Sequence, residues 1–385
     1  MISTSWSSSI IWLSLLPLAL LLIGYALWMI VGFRRVHKSQ NVASNGLLSP
    51  QPFISVIVAA HNEADHLPAT LNALAEVDFP PERVEYILVN DRSSDDTLLQ
   101  MQAEASRHSN WQAISSTPSP DFEGKVNALR CGTDTARGDY FIFLDADCSP
   151  SRDWLNSFGT HVSHFDVICG HISSPSDQPG IWYRLLNLEH LFSSLQVMAG
   201  SGNGTPLFSR GGNWGYSRKI WAKCGGWTGL RGKSWGDDIL MMDQFRQQPG
   251  TSFGYAPGAS VLTPPPPSCR GWLSASRRRY GKVKQLAPAS LALHSSFYLL
   301  LLVLLLVPLL LPQMALPWLA YCSLILLTFY SVIHRGARLL NQRYKPAMLL
   351  LFLLLLPPWV LLQSLAGTLL NSSSAVKQLT QEDSN

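Results

Sequence analysis

Four stretches of the chain are apolar and free of charge: residues 10–33, 297–311 (long enough to span once 291–296 join it), 316–333 and 347–370. About 20 apolar residues in helical conformation cross the hydrocarbon layer of a bilayer. The pattern therefore predicts one N-terminal and three C-terminal transmembrane helices. The first run has a weak N-terminal flank and no small-residue cleavage site after it, so it reads as an uncleaved anchor rather than a signal peptide.

Between the first two runs the rhythm changes. Residues 34–51 hold basic side chains and then many Asn, Ser and Gly, and read as a linker. Residues 53–60 are a short β-branched run, followed by Leu67, Leu71 and Leu74 at helical spacing. Residues 84–89, 111–115 and 140–144 repeat the strand pattern, and 95–105 and 125–136 the helical one. Alternating strands and helices predict an α/β domain over residues 52–270, with an open parallel sheet covered on both faces. From 170 to 270 Gly, Trp and Pro are dense, and the expectation there is irregular loops lining a cleft.

Charge sets the orientation. Only 14% of residues are charged, against about 25% in a typical soluble domain. Arg34, Arg35 and Lys38 follow the first span; Arg277, Arg278, Arg279, Lys282 and Lys284 precede the second; Arg335, Arg338, Arg343 and Lys345 separate the third from the fourth. The positive-inside rule then predicts a multi-pass protein of the plasma (inner) membrane, with residues 34–290 cytoplasmic and both termini outside. Segment 271–290 mixes these cations with Trp272, Leu273 and Tyr280, as an interfacial helix does. No nucleic-acid motif accompanies it. Segment 291–370 holds the last three spans, and 371–385 reads as a polar tail. The six cysteines form no C-x-x-C pair, which argues against a zinc site or a disulfide framework. A pure transporter is disfavoured, because the spans hold almost no ionisable side chains.

Three strands end in polar clusters: His61-Asn62-Glu63, Asn90-Asp91-Arg92-Ser93 and Asp145-Ala146-Asp147. Ligands of open α/β sheets bind beyond the carboxyl ends of the strands, so these clusters should share one crevice. Asp145 and Asp147 can offer carboxylates to a hard cation, Mg²⁺ or Mn²⁺. Either could instead cap the next helix, and Asp91 could cap the helix from Asp95 onward. Lys125 could pair with a phosphate or with one of these aspartates. Asp237-Asp238 could supply a general base, repulsion raising one pKa, or could be a solvated acidic turn.

In order and spacing these segments resemble the family-2 glycosyltransferases, the GT-A-fold family that includes cellulose and hyaluronan synthase relatives. Residues 55–63, 89–97, Gly124-Lys125-Val126-Asn127-Ala128-Leu129 and Asp145-Ala146-Asp147 carry the likeness. Gly211-Gly212-Asn213 followed by Gly225-Gly226-Trp227 is similar to its acceptor-side glycine segment. The resemblance implies a nucleotide-sugar donor (a UDP- or GDP-sugar) bound with Glu63, Asp91, Lys125, Asp145, Arg279 and Tyr280. It also implies a metal on Asp145 and Asp147, Asp238 or Asp237 as catalytic base, and inversion at the anomeric carbon. Many members carry Q-x-x-R-W where this chain has Ser276 and Tyr280, a departure from the pattern prominent in processive enzymes. The expectation is transfer of a sugar to a lipid or lipid-linked acceptor. A processive polysaccharide synthase and a catalytically inactive nucleotide-binding scaffold subunit are the alternatives.

Overall fold

The computed structural model describes residues 3–45, 52–175, 180–266, 268–283, 306, 312 and 315–369. Contacts divide the chain into an α/β unit (residues 32–179, 196–265 and 379–385) and a helical unit (1–31, 180–195 and 266–378).

In the α/β unit, strand β1 (Ile54–Ala60) is buried at six of its seven positions, as a parallel strand covered on both faces must be. It pairs in parallel with β2 (Val84–Asn90) and β4 (Tyr140–Asp145), and β3 (Trp111–Ser115) extends the sheet beyond β2. The register places Ala60 beside Asn90 and Ala59 beside Asp145, so the carboxyl ends of three strands lie level. Helix α2 (Leu67–Ala75) buries Leu67, Leu71 and Leu74 against Ile54, Val56 and Val58. Helix α3 (Thr97–Ala105) follows β2. Helix α4 (Gly124–Thr135) lies so close to the sheet that a Cβ on Gly132 would come within 2.6 Å of Ile57 Cγ2.

The rest of the sheet is not parallel throughout. The full order is β3-β2-β1-β4-β7-β6-β8-β5, with β5 (Ser149–Pro150), β6 (Val167–Ser173), β7 (Trp214–Ser217) and β8 (Phe253–Leu262). Strand β7 runs antiparallel to both β4 and β6, and β5 antiparallel to β8. The expectation of a purely parallel sheet is corrected: β7 is four residues long and too short to show a period. Among the described residues, the region from 170 to 270 also holds regular elements rather than irregular loops alone. It contains α6 (Ile181–Gly202), α7 (Arg218–Lys223) and α8 (Asp237–Gln247) besides three strands. Apolar residues fall on every side of α6, so no amphipathic period betrays it.

Asn213 ties this second half together. Its side chain, fully buried, donates from Nδ2 to the carbonyls of His171 on β6 and Ala259 on β8, at 2.8 Å each. Its Oδ1 accepts from Trp154 Nε1 at 2.8 Å, which fixes α5 (Trp154–Gly159). On the other half, Glu85 is buried within β2. Burial alone would raise its pKa, but the Ser55 hydroxyl and the Arg137 amide and guanidinium outweigh it and hold the carboxyl below its ordinary value.

The helical unit contains parts of α1 (Ser3–Asn45) and α6, together with α9 (Cys269–Val283), α10 (Ala315–Leu339) and α11 (Pro346–Leu369). Among the described residues, three segments are long and apolar enough to cross a membrane: Ala19–Gln40, Trp318–Leu339 and Pro346–Gln363. The expected span at 291–311, apart from Leu306, and the tail at 371–385 lie outside the described residues. Helix α1 continues through residues 34–45, which the sequence pattern gave to a linker; after Gly32 no glycine or proline interrupts it before Gly46. The one acidic residue of this unit, Glu189, accepts hydrogen bonds from Trp272 Nε1 and Trp359 Nε1, at 3.1 Å each, and from Gln363 Nε2 at 2.9 Å. These contacts join α6, α9 and α11.

Asn213→Ala would leave two buried carbonyls and one indole without their partner. Each unsatisfied group costs about 1–3 kcal/mol, partly relieved by relaxation, so the net loss should be about 2–4 kcal/mol. Thermal unfolding of the purified protein should show a melting temperature lowered by about 5–10 °C; an unchanged value would remove Asn213 as the tie.

Candidate active site

Three turns at the level carboxyl ends of β1, β2 and β4 enclose a polar pocket of about 280 Å³, lined by Glu63, Asp91, Lys125, Asp145 and Asp147 among others. The first two turns brace each other. Asn62 and Arg92 both adopt left-handed backbone, with φ of 54° and 57°. Asn62 donates its amide to Ser93 Oγ at 3.0 Å, and its Oδ1 accepts from the Ser94 amide at 2.8 Å. Asp95 accepts from the Thr97 hydroxyl and from the amides of Ala64 and Thr97, and these bonds outweigh desolvation to keep its pKa low. The residue at the start of α3 that bonds the backbone is thus Asp95, not Asp91. Asp91 is buried, and its Oδ1 accepts from Ser116 Oγ at 2.9 Å, a partner that sequence spacing did not mark. His61 Nδ1 lies 2.7 Å from the Asp91 carbonyl.

The Asp145-Ala146-Asp147 turn is held from beneath. Thr70 on α2 donates its hydroxyl to the Ala146 carbonyl at 2.7 Å, and the Cys148 amide donates to the Asp145 carbonyl at 3.0 Å. Lys125, at the start of α4, forms an ion pair with Asp145. Burial disfavours the ammonium, but Asp145 and then Asp237 more than compensate, so its pKa is raised. Carboxylate oxygens of Asp145 and Asp147 and the Cys148 sulfur all lie within 4.8 Å of one another. Burial, with Asp147 and Asp145 nearby, pushes the Cys148 thiol well above its usual pKa, so it stays protonated. The donor set that remains is two carboxylates, which fits a hard, oxygen-seeking divalent cation. Desolvation, and then the charge of Asp145, raises the pKa of Asp147; desolvation, and then Asp147, raises that of Glu63.

The second acidic pair opens α8. Asp237 is buried, whereas Asp238 is half-buried, its Oδ1 accepting from the Ile239 amide at 3.0 Å. Gly211 and Gly212 run between the two pairs: a Cβ on Gly211 would sit 3.4 Å from Asp238 Oδ2, and one on Gly212 would sit 2.9 Å from Asp145 Oδ2. The absence of side chains there lets the acidic groups share one wall. Of the residues singled out from sequence, Glu63, Asp91, Lys125, Asp145 and Asp147 line one pocket, and Asp237 and Asp238 lie across the glycine turn. The side chains of Arg279 and Tyr280 lie outside the described residues. Thr70, Ser116 and Cys148 escaped sequence reading because their contacts join positions distant in the chain.

Residues 55–225 match the family model described as Glycosyl transferase family 2. The chain is 29% identical over 128 residues to the glycosyltransferase AglE of Haloferax volcanii, covering 33% of this chain and 41% of that protein. It is 27% identical over 187 residues to the probable glycosyltransferase YdaM of Bacillus subtilis, covering 46% of this chain and 43% of the relative. The chain thus spans about two fifths of the length of these curated relatives. Among solved structures, the mannosyltransferase PcManGT of Pyrobaculum calidifontis, in complex with GDP-Man and Mn²⁺, shares the fold. The two superpose with a TM-score of 0.50 at 20% identity, covering 88% of this chain and 99% of that one.

Because the Asp147 charge helps to raise the pKa of Glu63, Asp147→Asn should lower it. Carboxyl-carbon NMR of protein labelled at glutamate should place the Glu63 midpoint above the ordinary glutamate range in the wild type. In the variant the midpoint should move downward; if it stays put, the two carboxylates are not electrostatically linked.

Proposed function

From the premise that residues 55–225 form a family-2 glycosyltransferase domain, we propose that the chain is an inverting glycosyltransferase. It takes a UDP- or GDP-sugar as donor and a lipid or lipid-linked acceptor at the cytoplasmic face of the inner membrane. The observation that carries this reading is the pairing of Asp145 with Lys125 at the strand ends, with Asp238 placed across Gly211-Gly212. Asp145 and Asp147 would hold Mg²⁺ or Mn²⁺, which supplies positive charge to a leaving diphosphate. PcManGT, with GDP-Man and Mn²⁺, supports this choice of ligands.

The chain's own residues divide the work. Lys125 keeps its proton and offers a fixed cation beside the metal-binding carboxylates. Asp91 and Glu63, on the neighbouring turns, border the same pocket and bind the nucleotide. The acceptor hydroxyl oxygen attacks the anomeric carbon, the bond from that carbon to the diphosphate oxygen breaks, and the hydroxyl proton passes to a carboxylate. Asp238 serves as that base, since it is half-buried whereas Asp237 is closed off from solvent. Attack opposite the leaving group inverts the anomeric centre. Arg279 and Tyr280 are assigned to the donor on the resemblance alone.

The membrane part of the proposal rests on three apolar segments and on their basic flanks. The positive-inside rule puts those flanks, and with them the α/β domain, in the cytoplasm. The sequence-based boundaries, with the domain at 52–270 and the interfacial segment at 271–290, stand as part of the proposal.

Membranes holding the full chain, given a panel of labelled nucleotide-sugars and a lipid extract, should yield a labelled lipid bearing a single added sugar. A chelator should abolish the product, and added Mg²⁺ or Mn²⁺ should restore it. Asp147→Ala and Asp238→Asn should each lower turnover by about 10²-fold or more, and only the former should weaken metal binding. Full turnover in both variants would sink the catalytic assignment and leave the scaffold reading; long product chains would favour the synthase.

A further inference from the structure

The geometry points to a second anion site, remote in sequence from the first: a pocket for a lipid-borne phosphate at the C-terminal end of α10. The pocket has a volume of about 660 Å³. Its lining combines the guanidiniums of Arg335 and Arg338 and the imidazole of His334 with the apolar and aromatic side chains of Ile30, Tyr330 and Leu339. His334 and Arg338 stand four residues apart and Arg335 and Arg338 three apart, so these basic side chains share one helical face. His334 is held in place: its Nδ1 lies 2.7 Å from Tyr344 Oη, and its ring stacks with Tyr330 at 6.2 Å between centroids.

Three observations argue for a bound anion rather than orientation alone. Arg335 and Arg338 are exposed, and their side chains form no ion pair or hydrogen bond among the described residues. The only acidic residue of the helical unit, Glu189, is already engaged by Trp272, Trp359 and Gln363. The positive-inside rule and the negative end of a helix dipole both ask for cations, but neither asks for a concave pocket with an apolar wall.

Depth selects a lipid over a free ion. Residues 316–333 of α10 are without charge, and the cations begin at His334, so the pocket straddles the boundary between hydrocarbon and headgroups. Tyr25 of α1 stacks on Phe329 with centroids 6.2 Å apart, which sets Ile30 at the same level as the basic turn. A phosphate at the headgroup plane could take paired N–H donors from a guanidinium. The start of the tail would then lie on Ile30, Tyr330 and Leu339. Basic pockets between membrane helices on the cytoplasmic side bind lipid headgroups in this way.

The test is lipid binding by the full chain in dodecyl maltoside, read by native mass spectrometry in the absence of any nucleotide-sugar, so that sugar transfer does not enter the readout. The probes are dioleoyl phosphatidic acid, dioleoyl phosphatidylglycerol, dioleoylglycerol and inorganic phosphate. One or both phospholipids should bind at least tenfold more tightly than dioleoylglycerol or inorganic phosphate, and the better of the two identifies a phosphomonoester or phosphodiester headgroup. R335Q/R338Q should lose at least tenfold, R335K/R338K should lose less, and R343Q, exposed outside the pocket, should bind as the wild type does. The proposal is overturned by equal binding of dioleoylglycerol or inorganic phosphate, by undiminished binding in R335Q/R338Q, or by an equal loss in R343Q. Should R335Q/R338Q fail to elute as a monodisperse species, the four-probe series on the wild type and on R335K/R338K decides.

Discussion

The pairing of Lys125 with Asp145 is the contact on which the polar pocket depends. Glu63, Asp91, Asp145 and Asp147 border one pocket, and Asp237 and Asp238 lie across a glycine turn from it. So many carboxylates cannot all ionise in a half-buried space without cations, and the raised pKa values of Glu63 and Asp147 record desolvation first and this repulsion second. Lys125 offsets part of it from the first turn of α4, and Asp237 and Asp238 also stabilise its charge. The balance of charge still favours a further cation. The same concentration of negative charge that would be a liability in an empty pocket suits the divalent ion of the proposed function.

The surrounding fold can be understood as a device for keeping those carboxylates close. The parallel register of β1, β2 and β4 aligns their ends, and Thr70 reaches from α2 to hold the Ala146 carbonyl. Gly211-Gly212 then brings the second acidic pair alongside, and the next residue, Asn213, anchors that turn to β6, β8 and α5. A side chain on Gly212 would press on Asp145 Oδ2, so the constraint at that position is steric. Stability and site geometry meet in three consecutive residues.

Local pattern revealed the parallel half of the sheet because its strands are short apolar runs and β1, β2 and β3 are each followed by a helix. Local pattern also revealed the acidic residues, since Asp145, Asp147 and Glu63 stand next to the strands that carry them. It missed α6, whose apolar residues cover its whole circumference, and β7, whose four residues gain meaning only from their antiparallel neighbours. Residues 34–45 looked like a linker by composition, yet nothing in them breaks a helix before Gly46. Asn213 could be found as part of a glycine-rich segment, but its bonds to His171, Ala259 and Trp154 span up to 59 residues. Spacing along a chain does not encode such closures.

Charge is partitioned between the two units, and the partition suits two kinds of anion. The helical unit has one acidic side chain, Glu189, and commits it to two indoles and an amide; a carboxylate among apolar helices is tolerable only when donors surround it. Arg335 and Arg338 of that unit are exposed, where a phosphate on a lipid needs direct, two-pronged hydrogen bonds at the headgroup plane. The α/β unit does the reverse. It gathers carboxylates and a single lysine around a pocket, an arrangement that repels a bare diphosphate and, on the proposed function, would accept one together with a metal ion. A nucleotide phosphate and a lipid phosphate carry similar charge, so the sign of the lining is what would keep them in separate sites. Metal dependence should belong to the first site and not to the second.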